Sequence, residues 1–170
     1  GGTLRAAFVH DCAPEKSPWI REHDKGRQQL EQALGDTVLV RSYLAEDYPC
    51  AEDALEQDVS DGAQVIFTTT VPLIFACRKL APKYPGVRFL NCSVDMPYPG
   101  VRTYYSRIYE AKFLLGVIAG ALAVDDRIGY VADGPIFGTP AAINAFALGA
   151  QLTNPRAWIE LRWSCCESSP

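Results

Sequence analysis

Short apolar runs of strand length alternate with longer stretches of helical spacing along nearly the whole chain, and this alternation limits the fold more than any single motif does. Leu4 to Val9 reads as a strand, and a helix is predicted from Trp19 to Leu34. On that helix Trp19, His23, Gly26, Leu30 and Ala33 share one face, and Gly35-Asp36 stops it. Thr37 to Val40 is a second strand and Ala51 to Asp61 a second helix closed by Gly62. Gln64 to Thr69 lacks polar alternation, as expected of a strand covered on both faces. Pro72 fits the first turn of a third helix reaching about Tyr84, followed by strands at Val87 to Asn91 and Val101 to Tyr105. A helix over Tyr109 to Ala123, a strand over Arg127 to Val131, a helix over Pro140 to Leu152 and a strand over Trp158 to Arg162 complete the order. Strands and helices alternating in this way imply an α/β fold, a doubly wound parallel sheet with right-handed crossovers.

The chain has 170 residues, enough for one ordinary domain or two small lobes. At 48% hydrophobic and 11% aromatic it can bury a core, which excludes intrinsic disorder. A net charge of −4 without a clustered basic stripe argues against a nucleic-acid partner. The longest apolar run, Phe113 to Val124, is shorter than the roughly 20 residues needed to span a bilayer and reads as a buried core helix. Within it, Gly116 and Gly120 are expected to let the helix lie close to the sheet. The polar turn Val124-Asp125-Asp126 is the best break, giving a first lobe over 1–124 and the start of a second over 125–170.

Ligands of open α/β sheets sit beyond the carboxyl ends of the strands. The loops there carry His10, Asp11, Thr68-Thr69-Thr70, Asn91, Ser93, Asp95, Asp133 and Phe137, with Trp19 opening the first helix. Hydrogen-bonding side chains beside aromatic rings suit a small polar molecule with a flat face. Trp19 has the alternative of packing its own helix, and the threonines that of satisfying backbone groups. His10 and His23 lack a third metal ligand, so no metal or cofactor is expected. Enzyme motifs are missing: no G-x-G-x-x-G follows the first strand, no phosphate-binding G-x-x-x-x-G-K-[ST] occurs, and there is no G-x-S-x-G elbow. Asp11, Asp95 and Asp133 are the acid-base candidates of an alternative small α/β enzyme. Of the six cysteines (Cys12, Cys50, Cys77, Cys92, Cys165, Cys166), Cys77 and Cys92 read as small buried hydrophobes, and all six as reduced thiols.

Tyr109-Glu110-Ala111-Lys112-Phe113-Leu114-Leu115-Gly116-Val117-Ile118-Ala119-Gly120, followed by Arg127 to Ala132, resembles the core motif of the BMP (basic membrane protein) family. Pro135-Ile136, Ile143 to Ala150 and Asn154-Pro155 continue the likeness. Upstream, Trp19, His23-Asp24, Gly26-Arg27 and Leu30-Glu31 are similar to that family's first helix, and Val65 to Thr69 to its third strand. The resemblance runs in order through nearly the whole chain. It implies a type I periplasmic-binding-protein-like fold, in which two doubly wound lobes close on a ligand. It further implies a non-catalytic substrate-binding component of an ABC transporter, binding a purine nucleoside or base.

Carried over by position, Trp19 is the stacking candidate of the first lobe and Phe137 that of the second, with Asp11, Thr69, Thr70, Asn91 and Ser93 as polar contacts. The expected partner is an ABC permease or a fused regulatory domain, the latter making the chain a ligand sensor. No direct membrane insertion is expected. The chain reads as a truncated member that stops early in its second lobe. Leu90-Asn91-Cys92-Ser93 and Val101 to Tyr105 resemble a signal-less branch from Gram-positive bacteria. With six cysteines, that branch favours the cytoplasm over the extracytoplasmic lipoprotein placement usual for the family.

Overall fold

The computed structural model describes residues 2–94, 98–135 and 138–164. Its elements are β1 (Leu4–His10), α1 (Pro18–Leu34), β2 (Val38–Leu44), α2 (Ala51–Ser60), β3 (Val65–Thr68), α3 (Ile74–Leu80), β4 (Arg88–Cys92), β5 (Val101–Tyr104), α4 (Ile108–Leu122), β6 (Arg127–Ala132), α5 (Thr139–Thr153) and β7 (Trp158–Trp163). Every strand and helix expected from the sequence is present. The main difference is at α3, where Val71–Leu73 forms a tighter 3-10 turn and the α-helix proper is short.

Strands β1 to β5 form one parallel sheet in the order β2-β1-β3-β4-β5. The strand order reverses direction between β1 and β3. Adjacent crossovers there leave on opposite faces, which opens a crevice at the carboxyl ends of those two strands. Residues alternate between the faces. Ala7, Val9, Ile66, Phe89 and Val101 pack with Leu55 of α2 and Ile74, Cys77 and Leu80 of α3 into the main core. Fully burying side chains such as Leu55, Ile66, Ile74 and Leu80 contributes roughly 1.5–3 kcal/mol each.

The opposite face carries a smaller cluster of Ala6, Phe8, Val38 and Val40, with Leu30 of α1 and Phe67 against it. Phe8 and Phe67 stack at 4.7 Å between centroids. This corrects two expectations. Strand β3 is not covered evenly: Ile66 and Thr68 are buried, whereas Val65 and Phe67 are only half-buried. On α1 the fully buried residue is Ile20, while Gly26 and Ala33 are exposed. The helix lies on the sheet along a narrow seam rather than along the whole predicted face. Its start is set by Ser17, whose hydroxyl accepts from the Ile20 amide, and by Pro18 in the first turn.

Contacts divide the chain into two compact units, Gly1–Tyr105 and Ser106–Pro170. The break expected at Val124 therefore falls inside the second unit, because α4 packs on α5. In that unit β6 and β7 pair in parallel. Helices α4 and α5 meet backbone to backbone at glycines. A Cβ on Gly116 would collide with the Phe146 carbonyl, one on Gly149 with the Phe113 carbonyl, and one on Gly120 with the Ala150 carbonyl. The Thr153 hydroxyl donates to the Val117 carbonyl across the same seam at 2.9 Å. The small residues at Gly116 and Gly120 thus serve a helix–helix contact, not a helix–sheet one. Nor is α4 a buried core helix: only those glycines are buried, and Leu114, Leu115, Ile118 and Leu122 are exposed.

One buried carboxyl group stands apart from this packing. Asp58 of α2 is fully buried with neither carboxylate oxygen hydrogen-bonded. Burial, aided by the charge of Asp61, pushes its carboxyl up to about 8. The folded state therefore holds this proton where the unfolded chain has released it. Stability from this group is full below the ordinary carboxylate range and is lost as pH rises towards 8. The wild-type unfolding free energy is expected to fall between pH 5 and pH 8, by about 1 kcal/mol per pH unit from this group. Asp58→Asn should flatten that slope in denaturant titrations and be the more stable form at pH 8. At the helix seam, Gly116→Ala or Gly149→Ala should each cost about 1–3 kcal/mol, read by the same titrations.

Candidate functional site

The carboxyl ends of β1, β3 and β4 bring together most of the polar side chains expected there. His10 closes β1, almost fully buried, with Nδ1 2.9 Å from the Thr69 hydroxyl. Thr69 follows β3 and donates from both its amide and its hydroxyl to the Val9 carbonyl, each at 3.1 Å. Its own carbonyl accepts from the Trp19 indole Nε1 at 2.7 Å. Trp19, in the first turn of α1, is thereby anchored to the end of β3 with its ring half-buried.

Around that ring stand His23, with ring centroids 5.1 Å apart, and Tyr105, 6.0 Å away. His23 is held by the Trp19 carbonyl through Nδ1 at 2.9 Å, one helical turn back. Tyr104 lies 6.2 Å from His23 and edge-on to Phe67. The result is an aromatic floor at the switch point of the sheet.

Asn91 of β4 is oriented unambiguously. Its Nδ2 donates to the Thr70 carbonyl at 2.9 Å and to the Thr68 hydroxyl at 2.8 Å, and a carbonyl can only accept. Its Oδ1 is consequently a buried acceptor without a partner. Among the described residues seven buried side-chain atoms lack partners, and four lie here: His10 Nε2, Thr70 Oγ1, Asn91 Oδ1 and Ser93 Oγ. Buried polar atoms are normally satisfied, so such a cluster marks a place for a ligand or water. Thr68 has the structural role weighed for the threonines: its hydroxyl donates to the Leu90 carbonyl at 3.1 Å and lies 3.3 Å from Cys77 Sγ.

Of the residues singled out from the sequence, Trp19, Thr69, Thr70, Asn91 and Ser93 share this end of the sheet. Asp11 follows His10 but is exposed. Phe137 and Asp95 lie outside the described residues. The sequence reading of the site missed Tyr104 and Tyr105, which the strand-end rule applied to β5 would have found. It also missed Asp24, whose carboxylate is gripped by Arg27 Nε at 2.6 Å and Gln28 Nε2 at 2.8 Å. No three of the described His, Cys, Asp and Glu side chains converge as metal ligands would.

A family model described as Bmp, ABC transporter substrate-binding protein PnrA-like, matches residues 4–165. The chain is 30% identical over 162 residues to a purine-binding protein of Brucella abortus, covering 94% of this chain and 46% of that protein. It is 31% identical over 165 residues to a Haloferax volcanii protein described as an ABC transporter glucose-binding protein, covering 96% and 41%. The chain thus spans less than half the length of either relative. Among solved structures, an ABC transporter solute-binding protein from Aeropyrum pernix superposes with a TM-score of 0.71 at 19% identity, covering 95% of this chain and 47% of that one. A transcriptional activator of the comK gene from Bacillus halodurans gives 0.70 at 17% identity, covering 94% and 53%. These two likenesses show the shared fold.

The Asn91 amide supplies the test of this arrangement. Asn91→Asp places an oxygen against the Thr70 carbonyl and removes two donated hydrogen bonds. It should destabilise the first unit by about 2–3 kcal/mol at pH 7 in chemical denaturation, whereas Ser93→Ala, which removes no hydrogen bond, should change stability by less than about 1 kcal/mol.

Proposed function

This chain belongs to the Bmp family of PnrA-like ABC transporter substrate-binding proteins, and on that premise we propose that it is a non-catalytic solute-binding domain for a purine nucleoside or base. The observation that carries the reading is the Trp19 ring, held by its own indole N–H on the Thr69 carbonyl at 2.7 Å beside the switch point of the sheet. A ring anchored in this way loses little entropy on stacking against a flat ligand, and such stacking contributes about 1–3 kcal/mol. The polar groups around it support a base rather than a sugar alone. Asn91 Oδ1 is an acceptor whose orientation is set by its other bonds, and it complements an N–H edge. Thr70 and Ser93 add hydroxyls that can donate or accept. The purine-binding relative from Brucella abortus agrees with this choice, and the Haloferax volcanii relative makes glucose the competing ligand. The partner that fits a family of substrate-binding components is an ABC permease.

Calorimetry of the full-length protein against adenosine, guanosine, inosine, the free bases and glucose tests the reading. A purine should bind, and Trp19→Ala should weaken it about 10-fold or more while Trp19→Phe, which keeps an aromatic face, loses less. Binding of glucose with no response to any purine would overturn the assignment.

A further inference from the structure

His10 is a buried titratable group at this site, and it connects the sheet to the helix that carries the Trp19 ring. The Thr69 hydroxyl gives its proton to the Val9 carbonyl, so it accepts from His10 Nδ1–H at 2.9 Å. Thr69 in turn holds Trp19 through its carbonyl. Three residues from β1, the end of β3 and α1 therefore form one chain: His10, Thr69, Trp19. The other imidazole nitrogen, Nε2, has no hydrogen-bond partner and faces Asp24 Oδ1 across 3.7 Å. That gap is too long for a hydrogen bond.

We propose that His10 is a positioning residue for Trp19, and that taking up a proton at Nε2 disturbs the ring and releases the ligand; this rests on the solute-binding reading above. In the neutral imidazole Nε2 is a bare acceptor opposite a carboxylate, so nothing there pulls on α1. A proton gained from solvent turns it into a donor aimed at Asp24. Closing 3.7 Å to hydrogen-bond distance requires the Asp24 turn to move towards β1 by roughly 1 Å. Trp19 lies little more than one turn away on the same rigid helix, so the indole shifts against the Thr69 carbonyl. Asp24 also has to share its carboxylate away from Arg27 and Gln28, which now hold it.

Among the described residues the charged and titratable groups acting on His10 all come from α1: Asp24, His23 and Arg27. From β1 and the end of β3 come only the Val9 carbonyl and Thr69. Burial is the largest influence and, with His23 and Arg27, holds the imidazole below its ordinary range against the opposing pull of Asp24. The neutral, ligand-ready form thus prevails at neutral pH. Affinity is lost as the medium becomes acidic, on the low side of the usual histidine range. By linkage, ligand binding must oppose protonation of His10 to the same degree.

Two measurements on the full-length protein separate this from the ligand assignment. Without ligand, the indole N–H resonance of Trp19, identified by its loss in Trp19→Phe, is followed by NMR from pH 4.5 to 8. It should titrate together with the His10 imidazole. In His10→Gln, which still donates to Thr69 but gains no proton, it should stay at the wild-type neutral position throughout. In His10→Ala it should be displaced at every pH. With adenosine or inosine as probe, wild-type affinity should fall about 10-fold between pH 7.5 and 5.0, and that of His10→Gln by less than about 3-fold. An indole signal that does not titrate in the wild type, or titrates equally in His10→Gln, overturns the proposal whatever the ligand is. Silence of adenosine, guanosine, inosine and the free bases alike with a titrating indole would sink the purine reading and leave the role of His10 intact.

Discussion

The carbonyl oxygen of Val9 accepts two hydrogen bonds from a single residue, Thr69, and the rest of the first unit's working end is arranged around that junction. It lies where β1 and β3 run side by side and where the strand order reverses. Because Thr69 is bound on its amide and hydroxyl, its carbonyl has one direction left, and that direction carries Trp19. An aromatic ring in the first turn of α1 is thereby referenced to the sheet by a hydrogen bond, rather than left to the packing of α1. That packing is thin, with Ile20 the one fully buried residue of a 17-residue helix.

The second unit solves a different problem with different chemistry. Helices α4 and α5 approach until carbonyl oxygens rest against glycines, and no side chain larger than hydrogen fits at Gly116, Gly120 or Gly149. Close approach of this kind gains dispersion energy along the backbone. The large side chains of α4 are left pointing elsewhere, so Leu114, Leu115, Ile118 and Leu122 form an exposed apolar surface. An apolar helix need not be a buried helix when its contact is made by its smallest residues.

Much of the fold could be read in advance because periodicity is local. The strand at Leu4, the helix opening at Trp19 and the closing of helices at glycines follow from side-chain spacing and backbone preference. The site was legible in part for a similar reason: a parallel α/β sheet puts its useful loops at the carboxyl ends, and Trp19, Thr69, Asn91 and Ser93 are there. Tyr104, Tyr105 and Asp24 escaped because their part depends on neighbours from other elements. Asp24 reads as an ordinary helix-surface carboxylate until β1 brings His10 to within 3.7 Å of it.

The sequence by itself determined the order of elements, their parallel winding and the end of the sheet where polar side chains collect, since each follows from short-range pattern and the handedness of the chain. Only the tertiary structure decided which groups meet. His10 and Thr69 are 59 residues apart, and Trp19 and Thr69 are 50 apart. It also decided that the small residues of α4 face α5 rather than a sheet. The physical reason is the same in both cases: contact between elements depends on strand register and on how closely helices cross. Those are properties of the packed whole, and no window of local spacing contains them.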